Sequence, residues 1–167
     1  MIFMAGHGEN HRNRYYYLPV NADIDSLRKT GVSFSDIKDT VTAIAGKSLL
    51  FLDTCHAGNV MGTRGMGVDL AELIEELVSA ENGVVVFASS TGRQESLEDP
   101  IWDNGAFTKA LVEGLNGKAA LIHPDKITIN TLGAYISERV KELTEGRQTP
   151  TTTTPQTIPD FPIALRR

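Results

Sequence analysis

Three short apolar runs, each breaking off into small and polar residues, constrain this chain more than any other feature. Residues 1–5 (MIFMA) precede Gly6-His7-Gly8-Glu9, residues 48–53 (SLLFLD) precede Thr54-Cys55-His56, and residues 83–89 (GVVVFAS) precede Ser90-Thr91-Gly92. Runs of this length without polar alternation are strands covered on both faces, as in a parallel sheet held between helices. The intervening sequence supplies the helices. Residues 33–45 space Phe34, Ile37, Val41 and Ile44 at helical period, open on a Ser33/Asp36 capping box and stop at Gly46. Asp69 predicts the cap of a helix over 69–81, with Leu70, Leu73, Ile74, Leu77 and Val78 facing inward. Two more are predicted over 104–115 and 132–143, the second closed by Gly146, with a β-like run at 127–129 between them. The glycine-rich stretch 59–67 and the polar stretch 90–103 read as loops. Strands alternating with helices imply an α/β fold with a mainly parallel central sheet.

At 167 residues the chain fits one domain, 1–167, and 41% hydrophobic with 22% charged residues is a globular composition. Four of the seven prolines, Pro150, Pro155, Pro159 and Pro162, fall in 147–167, which predicts an extended Thr/Pro-rich end docked through Phe161, Ile163 and Leu165. A net charge of −5 argues against nucleic-acid partners, which require a basic face. No apolar run approaches the roughly 20 residues of a membrane span, and the first ten residues lack the basic flank of an export signal. A single cysteine, Cys55, rules out an internal disulfide, so a reducing, cytoplasmic setting is expected.

In α/β sheets the carboxyl ends of the strands open on one edge, and ligands bind there. If the first two strands are neighbours, about 4.8 Å apart, His7 and Cys55 meet at that edge. Taken singly, a cysteine at a strand end reads as a small hydrophobe and a histidine as a hydrogen-bonded structural residue. Their coincidence at one edge favours a dyad, in which the imidazole stabilises a thiolate nucleophile and protonates the leaving amine. The N–H groups of Gly8 and Cys55 are then the expected oxyanion donors. Neither HExxH nor CxxC occurs, so His7, His11, Cys55 and His56 are not read as metal ligands.

The blocks AGHGE (5–9), YYYLPVNAD (15–23), FLDTCHAG (51–58) and NGAFTKALVEGL (104–115), with SSTGRQES (89–96), resemble the caspase-like domain of metacaspases and the bacterial orthocaspases. The resemblance runs over nearly the whole chain, and the 48 positions from His7 to Cys55 suit caspase spacing. It implies a three-layer caspase-like sandwich and a cysteine endopeptidase acting on peptides or proteins, with His7 as the catalytic histidine and Cys55 as the nucleophile. Gly8 and Cys55 would form the oxyanion hole. It places Asp53 in the pocket for the residue before the cut, where a carboxylate suits Arg or Lys. The alternative for Asp53 is that it only caps a strand end by bonding nearby amides; the pocket is the favoured reading. Ser90 becomes the first contact of a segment, 89–96, that pairs with substrate as an added strand. The family's domain has two further strands and a helix before the histidine strand, so the resemblance also implies an N-terminally truncated sheet, a segment or domains upstream of Met1, and β-strand 1–5 as an exposed edge. No cofactor is implied. Calcium activation stays open, with Asp23 and Asp25 merely near the family's calcium acids, and Arg64 is the basic residue at which self-cleavage would fall. The alternative is an inactive caspase-like interaction module.

Overall fold

In a computed structural model of the chain, residues 1–56, 70–79, 83–90, 96–99 and 105–165 are described, Cys55 and His56 by their backbone alone. A six-stranded sheet has the order β3-β2-β1-β4-β5-β7, with β1 (Ile2–His11), β2 (Arg14–Leu18), β3 (Val32–Ser33), β4 (Ser48–His56), β5 (Val84–Ala88) and β7 (Thr151–Thr153). The central strands β1, β4 and β5 are parallel, and β2, β3 and β7 add antiparallel flanks. Helices α2 (Phe34–Thr42) and α3 (Leu70–Ser79) cover one face; α4 (Ala106–Glu113) and α5 (Ile129–Thr144) cover the other. A short helix α1 (Leu27–Thr30) follows a 3-10 turn, and a separate ribbon pairs β6 (Lys126–Thr128) with β8 (Pro162–Leu165). Among the described residues no helix is long and apolar enough to cross a membrane.

Strict alternation along β4 and β5 sorts the core into two halves. Leu49, Phe51, Val85 and Phe87 pack under α4 and α5, while Leu50, Leu52, Val84, Val86 and Ala88 pack under α2 and α3. Both faces are apolar because both are covered, which is why the sequence showed continuous runs. Phe51 and Phe87 are register partners and stack at 4.7 Å between centroids, each contributing about 1.5–3 kcal/mol by burial.

Local signals hold where they are chemical. Ser33 Oγ accepts the Asp36 amide at 3.2 Å and caps α2, and Gly46 sits at φ 103° beyond it. Gly146, at φ 77°, donates its amide to the Lys141 carbonyl at 2.8 Å and closes α5. Several boundaries move. α2 ends at Thr42, short of 45, and α5 starts at Ile129, because Thr128 and Thr131 cap it reciprocally. The run expected at 127–129 is β6, Lys126–Thr128. The helical path does not stop at 115: after α4 it widens into a π-helical turn, Gly114–Lys118. Asp69 and Glu81, the expected ends of α3, lie outside the described residues, as do Asn104, the loop 59–67 with Arg64, and most of 90–103.

Three larger expectations are corrected. β1 does not end at residue 5 but runs through the glycines to His11, because β2 folds back along its second half. Nor is β1 an edge strand: β3 and β7 are the edges, and among the described residues Ile2–Gly6 pair with β4 alone, His7 and Gly8 with both neighbours, and Glu9–His11 with β2 alone. The tail is extended as expected, but part of it joins the main sheet as β7 beside β5. Phe161 and Ile163 pack on the α4/α5 core, whereas Leu165 is 75% exposed.

Candidate active site

The polar ends of β1 and β4 meet in a fixed register. Across the parallel pair, Ala5 faces Asp53, Gly6 faces Thr54, His7 faces Cys55 and Gly8 faces His56. Paired positions in neighbouring strands stand about 4.8 Å apart, so the backbones of the two residues expected to form the dyad are immediate neighbours. Alternation puts His7 on the sheet face of Phe3 and Ala5, opposite the half of β1 (Ile2 and Met4) that packs against the α2/α3 core. All three residues on that face are exposed, so the His7 ring is open to an incoming ligand.

The glycines beside His7 leave room for two tyrosines. Tyr15, on β2, crosses over β1 at Gly8 and donates its hydroxyl to Thr54 Oγ1 on β4 at 3.2 Å. A Cβ at Gly8 would stand 2.0 Å from the Tyr15 oxygen. Tyr17 lies across Gly6 in the same way and donates to the Ala5 carbonyl at 2.7 Å. Gly6 itself adopts φ 143°, which side chains disfavour. The two tyrosines therefore bolt the hairpin to β1 and β4 on the core side and leave the opposite face, with His7, uncovered.

Asp53 lies two residues before Cys55 and is 8% exposed. Its Oδ1 accepts the Ser96 hydroxyl at 2.6 Å and its Oδ2 the Thr108 hydroxyl at 2.5 Å. Gly105, the N-cap of α4, adjoins the same carboxylate; a Cβ there would be 3.2 Å from Oδ2. The positive end of α4 and two hydroxyl donors thus compensate the loss of water. Among the described residues these partners are hydroxyls rather than the amides of a strand-end cap.

A second layer fixes Ser96. Gln148 is fully buried; its Nε2 donates to the Ser89 carbonyl at 2.7 Å and its Oε1 accepts the Leu97 amide at 2.8 Å, holding together both ends of the segment that follows β5. Ser90, the expected substrate contact, is buried directly after β5, and Ser89 donates its amide to Leu52 at 2.8 Å. Positions 91–95 lie outside the described residues. Ser96, Thr108 and Gln148 were not read as site residues from sequence. Thr108 in the first turn of a helix was the available hint, while nothing around Gln148 marks it as buried. Asp23 accepts the Asp25 amide in an exposed turn, and among the described residues no group of three or more His, Cys, Asp or Glu side chains is gathered for a metal ion.

The family model for the caspase domain matches residues 1–161. No curated protein matches the chain. Among solved structures, the crystal structure of protein GSU0716 from Geobacter sulfurreducens superposes with a TM-score of 0.58 at 14% identity, over 99% of this chain and 72% of that one. That likeness extends to the fold alone.

Proposed function

The chain belongs to the caspase-domain family of cysteine peptidases, and on that premise we propose that it is an endopeptidase of metacaspase or orthocaspase type that cleaves after Arg or Lys through a His7–Cys55 dyad. The observation that carries the reading is the β1–β4 register, in which His7 faces Cys55 at the edge where the central strands open. In the proposed cycle His7 takes the Cys55 proton and the sulfur attacks the substrate carbonyl carbon, forming a C–S bond. The N–H groups of Gly8 and Cys55 hold the resulting oxyanion. Collapse breaks the C–N bond, His7 delivers its proton to the leaving amine, and a thioester remains. Water, deprotonated by His7, then displaces the sulfur and releases the new carboxyl terminus.

Asp53 is the proposed partner of the substrate's Arg or Lys, because a buried carboxylate held still by two hydroxyls attracts a cation without first having to be ordered. Ser90 opens the proposed substrate-pairing segment after β5. A panel of fluorogenic peptides with no residue after the cut tests all of this. Thiol-dependent cleavage after Arg or Lys is expected, abolished by Cys55→Ala and nearly abolished by His7→Ala. Asp53→Asn should raise KM for basic substrates with a smaller effect on kcat. Cleavage after Asp, or none by the folded chain with or without calcium, would sink the reading.

One observation favours a second reading, that of an inactive interaction module: Ile2–Gly6 have backbone groups with a strand partner on one side only. A peptidyl electrophile separates the two, since it labels Cys55 in a peptidase and leaves it unmodified in a binding module.

A further inference from the structure

The hairpin that carries His7 ends in a basic pocket that the proposed chemistry does not use. His11, Arg12, Arg14, Tyr16 and Arg28 enclose a cavity of about 200 Å3. Arg12 and Asn13 occupy the two left-handed positions of the β1–β2 turn, at φ 50° and 62°, so the turn is tight and sets Arg12 and Arg14 close together. Arg28 arrives from α1, whose neighbouring Leu27 is buried, and Tyr16 forms a buried floor. Three guanidiniums thus converge in a chain of net charge −5, and among the described residues none of them forms an ion pair. Glu9, the register partner of Tyr16, is the carboxylate on the same face. One acid cannot offset three guanidiniums, so the pocket retains an attraction for anions.

The pocket's position says which anion. Directly opposed residues of an antiparallel pair share a face, as do alternate residues of one strand. His7, Glu9 and His11 therefore lie on one face with Leu18, Tyr16 and Arg14. The pocket is on the His7 face, four residues further along β1, or about 14 Å at about 3.4 Å per residue. In the sheet order, β5 and β1 flank β4 on opposite sides. On the proposed reading, the substrate before the cut lies against the segment after β5, and the leaving amine meets His7. The stretch after the cut then departs across β1 toward the end of the hairpin.

We infer that Arg12, Arg14 and Arg28 form a subsite for acidic side chains of the substrate about four residues after the scissile bond. The inference rests on the peptidase reading for its direction, and its test separates the two. Two quenched-fluorescent peptides share one sequence up to and including an Arg at the cut, and carry either Asp and Glu or Asn and Gln at the third to fifth positions beyond it. At low salt kcat/KM should be about three- to tenfold higher for the acidic peptide, as suits exposed charge pairs. The ratio should fall toward one at about 0.5 M salt, where the Debye length is only a few ångströms. It should do the same in the chain carrying Arg12→Gln, Arg14→Gln and Arg28→Gln. The same peptides are titrated into the Cys55→Ala chain by fluorescence anisotropy, where the same arginine-dependent preference is expected. Cleavage after Arg with equal rates and equal binding for the two peptides overturns the subsite and leaves the peptidase standing. Arg-dependent preference in binding, with no cleavage of either peptide by the parent chain, overturns the peptidase and leaves the anion pocket standing.

Discussion

A carboxylate as buried as Asp53 needs donors in place of the water it has lost, and Thr108 is one of two that the chain supplies. Thr108→Val keeps the shape and removes the donor, so it should lower stability by about 1–3 kcal/mol, read as a reduced urea midpoint at unchanged slope, and Thr108→Ser should restore most of it. Equal midpoints for the valine and serine variants would mean that the hydroxyl does not hold the acid. Gly8 is a second residue whose identity is set by a neighbour. With the Tyr15 oxygen 2.0 Å from any added Cβ, Gly8→Ala should displace the ring, break its bond to Thr54 and cost about 1–3 kcal/mol by overpacking. A Gly8→Ala chain as stable as the parent would refute that packing. His7, Cys55 and Asp53 were legible because their residue types and their places after apolar runs carry the chemistry. Thr108 and Gln148 were not, since a threonine in a helix and a glutamine in a tail have ordinary exposed roles in most settings.

Among the elements, α4 and α5 are tied by one carboxylate. Glu113 accepts from Arg139 Nε at 3.0 Å, Tyr135 at 2.9 Å and Lys118 at 3.0 Å. Burial alone would raise the Glu113 carboxyl, but these three donors outweigh it and hold it at about 2; burial and the same contact push Tyr135 up to about 12. Because the folded value lies below the ordinary 4.5, the clamp contributes fully above pH 4.5 and is lost as pH falls toward 2. Urea midpoints measured from pH 6 down to pH 2.5 should therefore fall more steeply for the parent than for Glu113→Gln, and parallel curves would show that the clamp adds nothing. Helix positions followed from apolar period and caps, with ends displaced by a few residues. β2 and β7 were missed as strands for different reasons. The polar-edged Arg14–Leu18 earns its place by pairing with β1, and Thr151–Thr153 is β-prone but has no apolar face until β5 lies beside it.

Over the whole molecule, stability concentrates where the sheet is covered twice. Phe51 is fully buried between β5 and the α4/α5 layer, whereas Phe3 on the open face of β1 is 46% exposed. Phe51→Ala should cost about 3–5 kcal/mol and Phe3→Ala under about 1 kcal/mol, both from urea unfolding. Comparable losses at the two positions would mean that the face carrying His7 is covered after all. The α/β class, the central strands, most of the helices and the identity of the candidate dyad were legible in the order of residues, because apolar period, capping residues and residue chemistry are local properties written in consecutive positions. It took the folded chain to show that the backbone of His7 stands opposite that of Cys55, that the hairpin carries the histidine strand past its glycines to an arginine pocket, and that Gln148 from the tail braces the segment beside Asp53. Each of these is a pairing between residues distant along the chain, and its register is set by which packing satisfies both faces of the sheet and every buried polar group at once.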